Sequence, residues 1–163
     1  MRQRMLLLAA FMFPALGQAA QDFLGKEVDC LALNIYHEAR GEPQEGQIAV
    51  AYVTMNRLVS PRYPNSVCDV VWQNGQFSWT KDDIEDTPND VRAWSKARQI
   101  AKFVYTNYFR LRAVAQEAAD PTRGALMYYS FKKVNPFWAR SSNMVATATI
   151  GSHLFLKDLK ANS

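Results

Sequence analysis

Between residues 26 and 40 the apolar side chains Val28, Leu31, Ala32, Ile35 and Ala39 recur at steps of three and four, and Gly41 and Pro43 end the pattern. This spacing predicts an amphipathic helix with a defined C-terminal end. A Gly/Pro turn then leads into residues 47–59, where Ile48, Ala51, Val53, Met55 and Leu58 leave few polar positions, so a largely buried second helix is expected. The prolines at 61 and 64 cannot continue it, because each lacks an amide hydrogen and turns its predecessor away from helix. Further on, Thr87-Pro88-Asn89-Asp90 offers a capping hydroxyl, a proline at the first helical position and an acid two residues later. That predicts a helix starting at Thr87 and running to about Tyr108, with Val91, Trp94, Ala97, Ala101, Val104 and Tyr105 on one face. A weaker helical piece, 113–119, precedes the Asp120-Pro121 break. The remaining "GALMYYSF" and "MVATATI-GSHLFL" are rich in β-branched and aromatic residues, with Gly151-Ser152 placed as a two-residue turn. The fold class is therefore α+β, mainly helical with a small late antiparallel sheet.

Composition refines this picture. A chain of 163 residues, 48% hydrophobic, fits one globular domain. Arg2 and Arg4 precede an apolar run from Met5 to Leu16 that ends in Gly17-Gln18-Ala19, so residues 1–19 read as a secretory signal peptide or a releasable membrane anchor. The run falls short of the roughly 20 apolar residues of a membrane span. Residues 20–163 then form the exported domain, periplasmic or cell-wall associated, and expected to be a monomer. Without the two leader arginines the formal charge falls from +4 to +2, and no Lys/Arg run remains, which argues against nucleic acid as a partner. In an oxidising compartment Cys30 and Cys68 are expected to pair; the alternative is two buried thiols.

The candidate chemistry sits in "NIYHEARGE", residues 34–42. His37-Glu38 begins like a zinc-protease motif, but Gly41 stands where the second histidine belongs, and His153 is the one other histidine, so no metal site is expected. Glu38 lies seven residues after Leu31 and three after Ile35, on the buried stripe. Burial and the negative end of the helix dipole both raise a carboxyl pKa, which suits a general acid; equally, Glu38 is placed to pair with Arg40 or another arginine and only organise the helix end. Glu42 and Glu45, beyond the helix stop, are expected to be solvated. Ser78 and Ser130 lack a nucleophile motif and read as hydrogen-bonding groups, and His153 as a structural donor before a catalyst.

Four ordered blocks, "LALNIYHEARGEPQEGQIAVAYVTMNRL", "PRYPNSVCDVVWQNGQFSW", "GALMYYS" and "IGSHLF", resemble the cell-wall hydrolase family of the spore cortex-lytic enzyme SleB and its relative CwlJ. The resemblance runs from about Val28 to Phe155. It implies a lysozyme-like domain, without cofactor, that cuts peptidoglycan glycan strands between N-acetylmuramic acid and N-acetylglucosamine, with Glu38 as the catalytic acid. It further implies lytic transglycosylation, in which one carboxyl group serves as acid and then base, whereas ordinary glycosidases use two. Asp82 and Asp83 are the nearest further acids in sequence. Ser78, Trp79 and Tyr129 lie in blocks that resemble substrate-facing segments, and Phe77, Tyr128, Trp138 and His153 complete the candidate sugar-binding set. Lys81 stands where many exported relatives carry a further cysteine. The competing expectations are a muramidase-type hydrolase, a phage lysis protein whose leader is an anchor, and a non-catalytic wall-binding scaffold.

Overall fold

A computed structural model describes residues 14–81 and 85–162. Helix α1 spans Pro14–Ala39, α2 Gln44–Leu58, α3 Val67–Trp72 and α4 Val91–Ala115. Strands β1 (Met127–Ser130), β2 (Met144–Ile150) and β3 (His153–Asp158) form an antiparallel sheet in the order β1-β3-β2. The fold is lysozyme-like, as the resemblance implies, and predominantly helical with a small late sheet, as the pattern predicts. Among the described residues no helix is long and apolar enough to cross a membrane, and no cluster of three or more His, Cys, Asp or Glu is placed to hold a metal. Residues 1–13 of the expected leader lie outside the described residues; residues 14–19 form the first turns of α1.

The stripe read from the sequence is the one α1 buries: Leu31, Ala32 and Ile35 are fully enclosed, packed with Met55 of α2, Val67 of α3 and Val104 and Tyr108 of α4. A smaller core of Ala49, Val53, Ala125 and Phe155 joins α2 to the sheet. Cys30 and Cys68 are bridged, with Cα atoms 5.2 Å apart, and this ties α1 to the start of α3. Beside the bridge, the buried Glu27 carboxylate accepts from the backbone N–H groups of Val67 and Cys68 at 2.6 and 3.3 Å. With Ser66 Oγ accepting from Asp69 N at 3.1 Å, these bonds satisfy the amides that open α3.

Two expectations are corrected here. The α4 cap is Asp90, not Thr87: its Oδ1 accepts from the amides of Arg92 and Ala93 at 3.0 and 2.9 Å. The reason is tertiary, since Tyr36 Oη on α1 donates to Asn89 Oδ1 and accepts from the Asp90 N–H, fixing residues 89 and 90 as the helix entrance. Glu42 is also not simply solvated. Its carboxylate accepts from Ser152 N at 2.8 Å and from Ser152 Oγ, clamping the β2–β3 turn to the segment just after α1. Desolvation is the largest single influence and raises the Glu42 carboxyl, but the two Ser152 bonds together with the charges of His153 and Lys133 outweigh it and hold the group below its ordinary range.

Gly151, in that turn, has φ +59°, and a Cβ there would run into the Glu42 carboxylate. Gly151→Ala is therefore expected to destabilise the protein by ~1–2 kcal/mol, through the left-handed backbone and the lost clamp. Urea unfolding of both proteins checks this, with a lower midpoint and unchanged slope as the outcome.

Candidate active site

Glu38 occupies the last turn of α1, one residue before its end, with its side chain opening on a cleft. The cleft is lined by Glu38, Arg57, Gly75, Gln76, Phe77, Ser78, Lys81 and Tyr128. Four pieces of chain meet there: the end of α1, the end of α2, the loop and 3-10 turn after α3, and β1. Gly75, with φ +80°, takes a left-handed turn that other residues rarely adopt, and so bends the loop past the carboxyl group.

Tyr128 Oη donates to Glu38 Oε2 at 2.9 Å. Burial raises the Glu38 carboxyl above its ordinary range, and the Tyr128 hydrogen bond and the nearby Arg57 charge partly offset that rise. The phenol answers in kind, since burial first and the neighbouring carboxylate second push Tyr128 well above its ordinary range. Glu27 provides the contrast within the same helix: it is more enclosed, yet its oxygens are taken up by two backbone amides. Glu38 has a single hydroxyl donor and an open side, the arrangement of a carboxyl group that can take up and release a proton.

Arg40 does not pair with Glu38; its guanidinium lies over the Tyr36 ring, 4.9 Å from the centroid. His37 faces away from the cleft lining, stacked on Trp79 with centroids 4.4 Å apart and Nε2 donating to the Asp86 carbonyl at 3.0 Å. Asn34, whose place on the buried stripe the apolar pattern left unexplained, donates to Thr54 Oγ1 and accepts from Trp79 Nε1 at 3.2 Å. Through that pair the loop after α3 is fastened to α1 and α2.

The expected sugar-binding residues divide into three groups. Ser78, exposed, and Phe77, nearly enclosed, line the cleft together with Tyr128. Trp79 is 6% exposed and sits behind the cleft wall as part of the core, because its indole N–H is used on Asn34 and its ring on His37. His153 is buried too, packing edge-on to Tyr128 at 5.3 Å with Nδ1 4.0 Å from Glu42 Oε1. Desolvation lowers its pKa below the ordinary imidazole value, the Glu42 charge opposing. Tyr129 and Trp138 meet each other at 5.7 Å. Successive strand residues face opposite ways, so this pair lies on the side of β1 away from Tyr128 and Glu38. Asp82 and Asp83 lie outside the described residues.

Arg57, Gln76 and Lys81 are cleft residues that the apolar pattern did not single out. For Arg57 the signal was present: it stands seven residues after Val50 and four after Val53, the phase that marks Glu38 on α1.

Comparison with known proteins agrees with this architecture. The chain is 32% identical over 134 residues to the spore cortex-lytic enzyme of Bacillus subtilis (strain 168), covering 82% of this chain and 38% of that protein. It is 33% identical over 132 residues to the enzyme of the same name from Halalkalibacterium halodurans, covering 79% of this chain and 34% of that one. The chain thus spans well under half the length of these curated relatives. The solved catalytic domain of the Bacillus cereus SleB protein superposes with a TM-score of 0.63 at 29% identity, covering 82% of this chain and 91% of that domain. The catalytic domain of the germination-specific lytic transglycosylase SleB from Bacillus anthracis gives 0.61 at 30% identity, covering 80% and 93%. Residues 41–156 match the family described as Cell Wall Hydrolase, beginning just after Glu38 and taking in the rest of the cleft and the whole sheet, so the chain belongs to the cell wall hydrolase family.

Proposed function

We propose that this protein is an exported enzyme that cleaves the glycan strands of peptidoglycan between N-acetylmuramic acid and N-acetylglucosamine, as a lytic transglycosylase with Glu38 as its acid and base. The observation that carries this reading is the Glu38–Tyr128 pair at 2.9 Å inside an open cleft, where burial favours the protonated carboxyl. Among the described residues of the cleft lining, Glu38 is the one carboxyl group, which supports chemistry that needs one. The solved relative whose title names it a lytic transglycosylase supports the reaction type.

In the first step protonated Glu38 gives its proton to the glycosidic oxygen as the bond from that oxygen to the muramic C1 breaks, and the N-acetylglucosamine end leaves with a new hydroxyl. The C1 centre becomes oxocarbenium-like, and the Tyr128 hydroxyl steadies the carboxylate left behind. In the second step Glu38 takes the proton of the muramic 6-hydroxyl as that oxygen bonds to C1, closing a 1,6-anhydro ring and returning Glu38 to its starting state. Phe77 supplies an apolar ring edge and Ser78 a hydroxyl for the sugar at the reacting position.

Mass spectrometry of the fragments released from purified sacculi tests the reaction type. Anhydro-muramic ends are expected. Reducing muramic ends would instead assign hydrolysis, with water in place of the 6-hydroxyl.

A further inference from the structure

Among the described residues, Arg57 is a buried cation with no ion-pair partner. At the end of α2 it is 3% exposed, and among the described residues the recorded ion pairs are Arg62–Asp158, Arg98–Asp29 and His153–Glu42. Its Nε donates to the Leu126 carbonyl at 2.8 Å, Nη2 reaches Met127 Sδ at 3.9 Å, and Nη1 is buried with no partner. The rings of Tyr63 and Phe77 approach the guanidinium, with centroids 5.3 and 5.0 Å away. Taking a guanidinium out of water costs several kcal/mol, and two neutral hydrogen bonds, one of them a long one to sulfur, and two ring contacts do not offset that. A charge kept at such a cost, on the wall of the cleft that holds Glu38, points to a role in that cleft.

Resting on the reading of Glu38 as acid and base, we propose that Arg57 is a positioning residue for charge: a fixed cation beside Glu38 that lets one buried carboxyl group exist in both protonation states during turnover. Leu126 and Met127 hold the guanidinium, and the next residue, Tyr128, holds the carboxyl group, so three consecutive residues anchor both groups on the wall of one cleft. No ion pair forms between them. A direct pair would lock Glu38 as a carboxylate and remove the acid of the first step. Burial without a cation would make the carboxylate left after proton donation too costly. The intermediate arrangement serves both steps. Among the described residues, the other titratable or charged groups facing Glu38 are Tyr128 on β1 and Lys81 at the rim, with His37 and Arg40 on its own helix turned to Trp79 and Tyr36.

The test compares Arg57→Met and Arg57→Lys with wild type, following Glu38 by carboxyl carbon NMR and activity on purified sacculi as a function of pH. In Arg57→Met, Glu38 is expected to titrate at higher pH, the alkaline limb of kcat/KM to move up in step, and kcat to fall by roughly 10- to 100-fold with little change in KM. Arg57→Lys keeps the charge and is expected to restore most of kcat and a titration close to wild type. A Glu38 titration unmoved in Arg57→Met, or a lysine variant as slow as the methionine one, overturns the proposal. If Arg57→Met does not fold, Arg57→Gln replaces it, and failure of both to fold assigns Arg57 to the fold and overturns the proposal too. An active Glu38→Gln enzyme sinks the assignment of Glu38 itself; an inactive one, with Glu38 indifferent to Arg57, sinks this inference alone.

Discussion

Glu38→Gln is expected to abolish release of soluble fragments from sacculi while leaving a folded protein. Glutamine keeps the shape of the side chain and can still accept the Tyr128 hydroxyl, now 2.9 Å from Oε2, but it has no proton to give the glycosidic oxygen. General acid–base catalysis contributes about 10²- to 10⁴-fold, and in the proposed mechanism both proton transfers pass through one group, so a loss at or beyond the upper end is expected. Activity within tenfold of wild type would remove Glu38 from the mechanism. The same substitution carries a stability signature. Burial raises the folded-state pKa of Glu38, so the folded protein holds that proton to higher pH than the unfolded chain does. The contribution to stability is complete below the unfolded value and is lost as pH rises through the folded one. Glutamine pays no such cost, so Glu38→Gln is expected to melt higher than wild type at neutral pH and close to it at pH 4. An enzyme that becomes more stable as it loses its activity is the behaviour of a group kept for chemistry.

The pH dependence of wild type follows from the same shift. Because the proposed mechanism needs a protonated Glu38 in its first step, kcat/KM is expected to fall on the alkaline side as pH passes the raised Glu38 value. Tyr128→Phe removes the donor that lowers Glu38, so its alkaline limb is expected at higher pH, with reduced kcat. A limb that stays in place in initial-rate profiles of this variant would mean that Tyr128 does not act on the titrating group.

Local periodicity made the helical layer readable. Glu38 could be placed on a buried stripe because Leu31 and Ile35 fix the phase of α1, and a helical period carries that information over two turns without any knowledge of the partners. The hairpin was readable for a similar reason, since Gly151-Ser152 separates two strand-like runs. What escaped depends on contacts distant in sequence. Asp90 rather than Thr87 caps α4 because Tyr36, more than fifty residues away, holds its amide. Glu42 is held by Ser152 from the other end of the chain. Trp79 lies in a polar loop, where exposure and burial look alike; its partner Asn34 decides the matter, turning an expected sugar platform into part of the cleft's rear wall. Arg57 went unremarked for a different reason: an arginine near the end of a helix is ordinarily a solvated charge, and here its phase outweighs that habit.

Reduction of the Cys30–Cys68 bridge is expected to produce the largest loss of stability. The two residues are 38 apart in sequence, and freeing a loop of that size restores unfolded-state entropy worth ~4 kcal/mol. For a domain of this size that corresponds to a fall in Tm of roughly 8–16 °C. The loss is expected to reach the active site, because the bridge joins α1, eight residues before Glu38, to α3, whose far end leads into the Gly75–Ser78 wall of the cleft. Glu27 stays in place on the amides of Val67 and Cys68, so α3 is expected to remain docked at low temperature while its tether is gone. Reduced protein should therefore keep activity on sacculi at 20 °C and lose it on warming well before the oxidised form. A Cys30→Ala/Cys68→Ala double variant separates the bridge from any effect of reductant on the assay. Matching melting curves for the double variant and the oxidised protein would show that the bridge carries no stability, and that the packing of α3 through its buried Val67, Val70 and Val71 suffices to hold the cleft wall.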